Sequence, residues 1–186
     1  MRTLRLSLAG TVILMLLRGL GAVVAGDDET LASERPHQVS GSCVYAGHRT
    51  FGAYVEEDGR TGRHGDLVRV GCEMDDARLS GSLWVLSNMD AIGGRIRASE
   101  GEVMAQTVEL VNDDGSWVGT NRGYIAYEPL GRVHYWQLEL TGTGVYEGHS
   151  ALLQVKGPGT GPYEVEGFVF PGALPEYPGP VEVPAE

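Results

Sequence analysis

The stretch that decides the fold is residues 113–156, which read DDGSWVGTNRGYIAYEPLGRVHYWQLELTGTGVYEGHSALLQVK. Short runs rich in Val, Tyr, Trp, Thr and Leu alternate there with glycine turn sequences such as Asp114-Gly115. That composition and punctuation are typical of antiparallel strands joined by tight turns, and the mature chain shows no apolar helical period. The sequence therefore predicts an all-β fold.

The same pattern extends outward over residues 38–170 and predicts about eight strands. It includes a short strand at 95–98 and is interrupted at 56–66, where we expect a charged, glycine-rich loop. Glycines recur inside predicted strands, as the close approach of strands in a coiled sheet requires. An immunoglobulin-type sandwich would place a Trp between its two Cys, whereas Trp84 follows Cys72. We expect a small antiparallel closed barrel instead.

The two ends of the chain differ from its middle. Residues 1–25 combine Arg2 and Arg5 with an apolar run and a small-residue cleavage site, which is typical of a secretory signal peptide. The alternative is a membrane anchor, but the apolar run is shorter than the ~20 residues that a spanning helix needs. Residues 26–37 are polar and predict a flexible arm, and 171–186 predict a Pro-rich disordered tail. We expect one secreted or extracytoplasmic domain at 38–170.

The chain is acidic, with a net charge of −11 from 14 Lys plus Arg and 25 Asp plus Glu. Removal of the signal peptide removes three Arg and no acid, so the charge becomes −14. Such a surface repels phosphate backbones and anionic membranes, so we expect neither a nucleic-acid partner nor stable membrane insertion.

Cys43 and Cys72 are the two cysteines of the chain. A pair of cysteines in an exported protein most often forms a disulfide, and we expect that bond here. A catalytic or metal-bound thiol would need a base or further ligands, which the sequence does not place near either residue.

Several segments of the sequence are similar to those of a known group of proteins. They are Cys72, DARLSGSLWVLSNMD at 76–90, GSWVGTNRGY at 115–124, TGTGVYEG at 141–148 and YEVEGFVF at 163–170. In this order they are similar to a group of secreted bacterial proteins whose glycine-spaced strands resemble the allene oxide cyclase-like and dirigent-like barrels of the calycin group. The resemblance implies a calycin-like barrel. It implies no catalytic residues here, because no local motif matches the acid and amide positions of the plant enzymes.

Residues 133–141 divide cleanly between two strand faces. His134, Trp136, Leu138 and Leu140 share one face, which we expect to face inward, and Tyr135, Gln137 and Glu139 share the other. His134 is a candidate ligand-pocket residue or general base. The alternative is a histidine at the end of the strand that reaches solvent or a backbone carbonyl.

Trp84, Trp117 and Trp136 are the three tryptophans. In a hollow barrel they would line a ligand cavity, and in a filled barrel they would form the core, since eight strands allow either. Asn88 and Asp90 alternate in phase with Trp84, so they either face a pocket mouth or end the strand.

Other charged residues have simpler interpretations. Arg122 would meet an anionic ligand or pair with an outer acid. The pairs Asp75-Asp76 and Asp113-Asp114 lack the spacing of a calcium loop, and the five histidines have no zinc spacing. We therefore predict neither a metal nor a cofactor.

Three functional hypotheses follow. The first is a module that binds a small apolar or amphipathic molecule among Trp84, Trp117, Trp136 and His134. The second is an isomerase or cyclase-type enzyme acting on an apolar substrate in the barrel, with His134 or Glu139 as its base or acid. The third is a structural or surface-interaction protein with a filled barrel and the tail as its contact. Fold alone does not choose among them.

Overall fold

The computed structural model describes residues 35–57, 59–94, 100–129 and 131–180. The segment 1–34, which holds the expected signal peptide and most of the expected arm, lies outside the described residues, as do 95–99 and 181–186. The described part contains nine strands: β1 (His37–Thr50), β2 (Ala53–Glu57), β3 (Arg60–Met74), β4 (Gly81–Ile92), β5 (Gly101–Val111), β6 (Gly115–Glu128), β7 (Gly131–Gly144), β8 (His149–Pro158) and β9 (Tyr163–Pro171). The all-β prediction is confirmed.

The strands form one antiparallel sheet that closes on itself. From β2 to β9 each strand pairs with the next, and β1 pairs with both β9 and β3. Strand β2 stands outside the ring as the hairpin partner of β3. The ring therefore consists of eight strands, β1 and β3 to β9, as the sequence predicts.

The strands are tilted relative to the axis of the ring. A path that starts at Arg63 on β3 and steps from each residue to its partner on the next strand returns to β3 at Met74. Met74 lies eleven residues beyond the starting point. The residues on the path are Met89, Met104, Gly123, Trp136, Val155, Val165 and Gly41. Such a stagger is the geometric condition for closing a sheet of this size. It also decides which interior residues become neighbours.

One end of the ring, which we call the plugged end, is filled by apolar side chains beneath a single-turn 3₁₀ helix at Ala77–Leu79. Asp76 caps this turn by accepting a hydrogen bond from the Arg78 N–H at 3.0 Å. Leu79 is fully buried in the ring. The indole N–H of Trp117 donates to the Arg78 carbonyl at 2.8 Å, so core and plug are joined.

The predicted disulfide is present. Cys43 on β1 and Cys72 on β3 stand opposite each other with Cα atoms 4.1 Å apart. Both are buried in the main core. In the chain-entropy model, a cross-link between residues 29 apart in sequence stabilises the fold by roughly 3–4 kcal/mol. The bond fixes the β1–β3 pairing, which is one of the two that close the ring.

The predicted loop at 56–66 is wrong, because most of it belongs to the β2–β3 hairpin, with Ala53 opposite His64 and Glu57 opposite Arg60. Strand β2 pairs only with β3 and exposes four of its five residues, so it needs no apolar alternation. The predicted strand at 95–98 lies outside the described residues. At 173–180 the chain has no regular secondary structure. No helix among the described residues is long and apolar enough to cross a membrane.

Candidate functional site

Strand β7 carries the centre of the candidate site. His134, Trp136, Leu138 and Leu140 face the interior and are each no more than 8% exposed, whereas Gln137 lies exposed on the outer face. The predicted division of β7 into two faces is therefore confirmed. His134 and Trp136 occupy the end of β7 that is opposite the plugged end, and we call this end of the interior the polar end.

An aromatic cluster occupies the polar end. The ring centroids of His134, Trp136 and Tyr163 lie 5.4 Å (His134–Trp136), 5.6 Å (His134–Tyr163) and 4.9 Å (Trp136–Tyr163) apart. Two glycines make room for these rings. A Cβ atom on Gly123 would lie 2.2 Å from the Tyr135 carbonyl oxygen and 2.9 Å from the Trp136 ring, and one on Gly157 would lie 2.6 Å from the Pro162 carbonyl oxygen and 3.0 Å from the Tyr163 ring. Because Gly123 on β6 and Gly157 on β8 have no side chains, the large rings of Trp136 on β7 and Tyr163 on β9 fit beside them.

Four buried nitrogen atoms in and beside this cluster have no hydrogen-bond partner among the described residues. They are Nδ1 and Nε2 of His134, Nε1 of Trp136 and Nε of Arg132. Buried polar atoms in folded proteins nearly always have a partner, so each exception requires an explanation. A further hydrogen-bonding group at the polar end would supply the partner that these atoms lack.

Burial controls the ionisation of the cluster. It disfavours the charged imidazolium, and the positive charge of Arg132 adds to the effect, so the pKa of His134 is lowered to about 4. At neutral pH the ring is uncharged and offers one donor and one acceptor. Burial also raises the pKa of Tyr163 to about 12, and its hydroxyl donates to the Gly159 carbonyl at 2.9 Å. The cluster is thus uncharged apart from its neighbour Arg132.

A carboxylate missed by the sequence analysis lies close to this cluster. Glu102 on β5 is 1% exposed, accepts a hydrogen bond from the Tyr127 hydroxyl at 2.6 Å and pairs with Arg132 at 3.2 Å. Strand register places it opposite Ile125, which in turn is opposite His134. The signal was present in the sequence, because Glu102 alternates in phase with the buried apolar residues of β5.

A second buried carboxylate that is paired with an arginine lies at the same end. Asp66 on β3 is almost fully buried, pairs with Arg63 and accepts a hydrogen bond from the Gly52 N–H at 2.7 Å. His48 lies 3.9 Å from the same carboxylate. Because buried charges are costly unless paired, two Arg–carboxylate pairs at one end of the interior mark it as the chemically richest region of the described chain.

The other two tryptophans lie elsewhere. Trp117 is fully buried at the plugged end, where it stacks on Tyr146 with centroids 5.3 Å apart, so it belongs to the core. The expectation that Trp84 faces the interior is wrong. Leu83 and Val85 point inward from β4, and Trp84 lies on the outer face with the Arg49 guanidinium 5.6 Å from its ring centroid.

The polar residues in phase with Trp84 also lie on the outer face. Asn88 accepts a hydrogen bond from the Gly65 N–H at 3.0 Å, and Asp90 lies 2.9 Å from the His64 ring. Glu139 is likewise not an interior acid, because it accepts a hydrogen bond from the Tyr177 hydroxyl at 2.6 Å on the outer face of β7. Its proposed role inside the barrel is therefore wrong.

The acidic pairs have structural roles. Asp75 binds the N–H and hydroxyl of Ser40 at 2.9 and 2.8 Å, and Asp76 pairs with Arg78 and with His37 at 2.6 and 2.9 Å. Asp113 and Asp114 lie in the exposed turn between β5 and β6. Among the residues that the structure describes, no three His, Cys, Asp or Glu side chains are grouped as a metal site.

The chain was compared with protein-family models, curated proteins and solved structures. No family model, no curated protein and no solved structure matches the chain. The resemblance to cyclase-like and dirigent-like barrels therefore stays a prediction.

Proposed function

We propose that the protein binds a small amphipathic molecule at the polar end of its ring, as an exported binding module. The observation that carries this proposal is the set of unpartnered buried nitrogens on His134 and Trp136 inside an aromatic cluster. A polar group of the ligand would accept from the indole N–H and bond to the neutral imidazole. Ligand pockets commonly combine apolar walls with a few such polar groups.

The surroundings of the cluster suit an apolar ligand body. Met89 and Met104 face each other across β4 and β5, and Ile125 lies between Glu102 and His134 in the interior register. All three apolar side chains are buried. Methionine side chains are flexible and polarizable, so they repack around an incoming apolar group at little cost.

The ionisation of His134 favours binding over proton abstraction. A general base works best when its pKa is near the operating pH. With a pKa lowered to about 4 by burial and by Arg132, His134 accepts a proton poorly at neutral pH. A neutral imidazole that exchanges hydrogen bonds with a ligand fits the site better than a catalytic base does.

Tryptophan fluorescence tests the proposal, because the three tryptophans lie in three places. The exported, oxidised protein is examined by native mass spectrometry for a co-purifying molecule and titrated with a panel of amphipathic alcohols, sterols and fatty amides. We expect a saturable fluorescence change that persists in Trp84→Phe and disappears in Trp136→Phe. Trp84→Phe is the matched control because the Trp84 indole lies on the outer face of β4, opposite the buried Leu83 and Val85.

Two results would contradict the proposal. One is a response that is lost in Trp84→Phe and kept in Trp136→Phe, since that would place the ligand on the outer face. The other is the absence of both a co-purifying mass and any saturable response. Turnover of a bound molecule that is lost in His134→Gln would favour the enzyme hypothesis over simple binding.

A further inference from the structure

A groove of about 730 Å³ crosses the outer face of strands β6, β7, β8, β9 and β1. Its polar and tyrosine side chains alternate along each strand with those of the interior. On β6, for example, Arg122 and Tyr124 line the groove, whereas Asn121 and Ile125 point into the ring. Trp136, whose ring belongs to the polar-end cluster, also contributes to the groove lining, so the groove and the polar end adjoin across strand β7.

Two parallel rows of side chains form the floor of the groove, because paired residues on neighbouring strands stand side by side about 5 Å apart. The first row is Tyr124, Tyr135, Lys156 and Glu164; the second is Arg122, Gln137, Gln154, Glu166 and Ser40. Within each strand the two rows are two residues, or roughly 7 Å, apart. The groove thus presents a regular array of polar groups beside an aromatic pair.

The aromatic pair is accessible. The rings of Tyr124 and Tyr135 stack with centroids 4.7 Å apart and an interplanar angle of 16°, and the Lys156 ammonium lies 5.4 Å from the Tyr135 centroid. Tyr124 is 47% exposed, and its neighbour Val103 on β5 is also exposed. Together they form an apolar shelf at one end of the groove.

The polar groups of the groove are balanced in charge. Lys156 stands opposite Glu164, and Gln154 stands between Gln137 and Glu166, so donors and acceptors lie side by side. A hydroxyl group both donates and accepts, so it can bridge two such neighbours. An anionic partner is repelled by a chain of net charge −11, and a cationic partner would gain as much from acids elsewhere on the surface.

We propose that this groove binds a neutral oligosaccharide. One sugar ring lies against Tyr124 and Val103, and the hydroxyl groups of the following rings bridge the polar rows across β7, β8 and β9. The stacked tyrosines give the apolar contact, and the amides of Gln137 and Gln154 give hydrogen bonds without net charge.

Isothermal titration calorimetry of the oxidised protein tests this inference, with cellohexaose, laminarihexaose and chitohexaose as neutral probes and a heparin hexasaccharide as the polyanionic probe. We expect saturable binding of at least one neutral probe, weakened at least about tenfold in Tyr124→Ala. Tyr54→Ala is the matched control, because Tyr54 is a 71% exposed tyrosine on β2, away from the groove. Gln154→Ala should also weaken binding.

The inference is overturned if none of the neutral probes binds, or if heparin alone binds. It is also overturned if Tyr124→Ala binds as tightly as the unchanged protein, or if Tyr54→Ala weakens binding to the same extent. Both tyrosines are exposed, so each variant should fold, and circular dichroism checks that each retains its strands.

Discussion

The burial of His134 predicts a specific loss of stability in mild acid. In the folded protein, burial and the Arg132 charge hold its pKa at about 4, against 6.5 for the unfolded chain. Between these values the unfolded chain binds a proton that the folded protein excludes. Stability is therefore complete above about pH 6.5 and falls as the pH drops toward 4, where the folded protein also becomes protonated.

The size of the effect follows from the two pKa values. Each tenfold change in proton affinity is worth about 1.4 kcal/mol. The pKa difference between 6.5 and about 4 lowers the free energy of unfolding by roughly 3 kcal/mol when the pH falls from above 6.5 to below 4. About 2.5 kcal/mol of this loss has occurred by pH 4.5. With a urea dependence of about 1–3 kcal/mol per molar, the unfolding midpoint shifts by roughly 1–3 M.

Urea unfolding of the protein and of His134→Gln, each at about pH 7.5 and about pH 4.5, measures this contribution. Other titrating groups act equally on both proteins, so the difference between them isolates His134. We expect the unchanged protein to lose roughly 2–3 kcal/mol more than the variant on acidification. An equal loss in both proteins would refute the argument that His134 is buried and neutral.

Two further predictions concern the close packing of β6 against β7 and the disulfide between β1 and β3. Gly123→Ala should destabilise the protein by about 1–3 kcal/mol or more, because the new Cβ would lie 2.2 Å from the Tyr135 carbonyl oxygen and 2.9 Å from the Trp136 ring. Gly71→Ala, which meets no atom within 4 Å, is the control, and equal urea midpoints for the two variants would contradict the prediction. Replacement of Cys43 and Cys72 by Ala should lower the free energy of unfolding by roughly 3–4 kcal/mol, and an unchanged midpoint under oxidising conditions would count against a stabilising cross-link.

Much of the fold could be predicted from the sequence because its signals are local. Glycine turns and period-two alternation mark strands without reference to the rest of the chain. Strand β7 is the clearest case, since His134, Trp136, Leu138 and Leu140 alternate with polar or amphipathic residues. The Cys43–Cys72 pair needed only the count of cysteines and the expected export of the chain.

Strand β4 shows where alternation fails. Leu83 and Val85 fall on one face, while Trp84 and Leu86 fall on the other, so both faces look apolar. The ring buries the face of Leu83 and Val85 and leaves Leu86 exposed. Large apolar side chains remain on protein surfaces often enough that one tryptophan cannot decide a face.

The partners within the polar end could not be predicted. Glu102 lies in phase with buried residues of β5, but its contact with Arg132 on β7 depends on the register of two intervening ladders. Asp66 falls in a stretch of charged residues and glycines, where nothing local distinguishes a buried acid from a solvated one. Registers and closure are properties of the whole ring, so single segments do not encode them.

The pairing of β1 with β9 shows that the shape of the ring does not depend on the order in which the chain connects its strands. Within the described sheet this pairing joins the two strands that are most distant in sequence, and it sets His37 opposite Val169. A circular permutant that links these two strands directly and opens at the β6–β7 turn would keep every ladder. It would convert the most distant contact into a hairpin and the β6–β7 hairpin into the distant one. Such a chain would reach the same ring by a different folding route, because the entropy of closure would fall on another pair of strands.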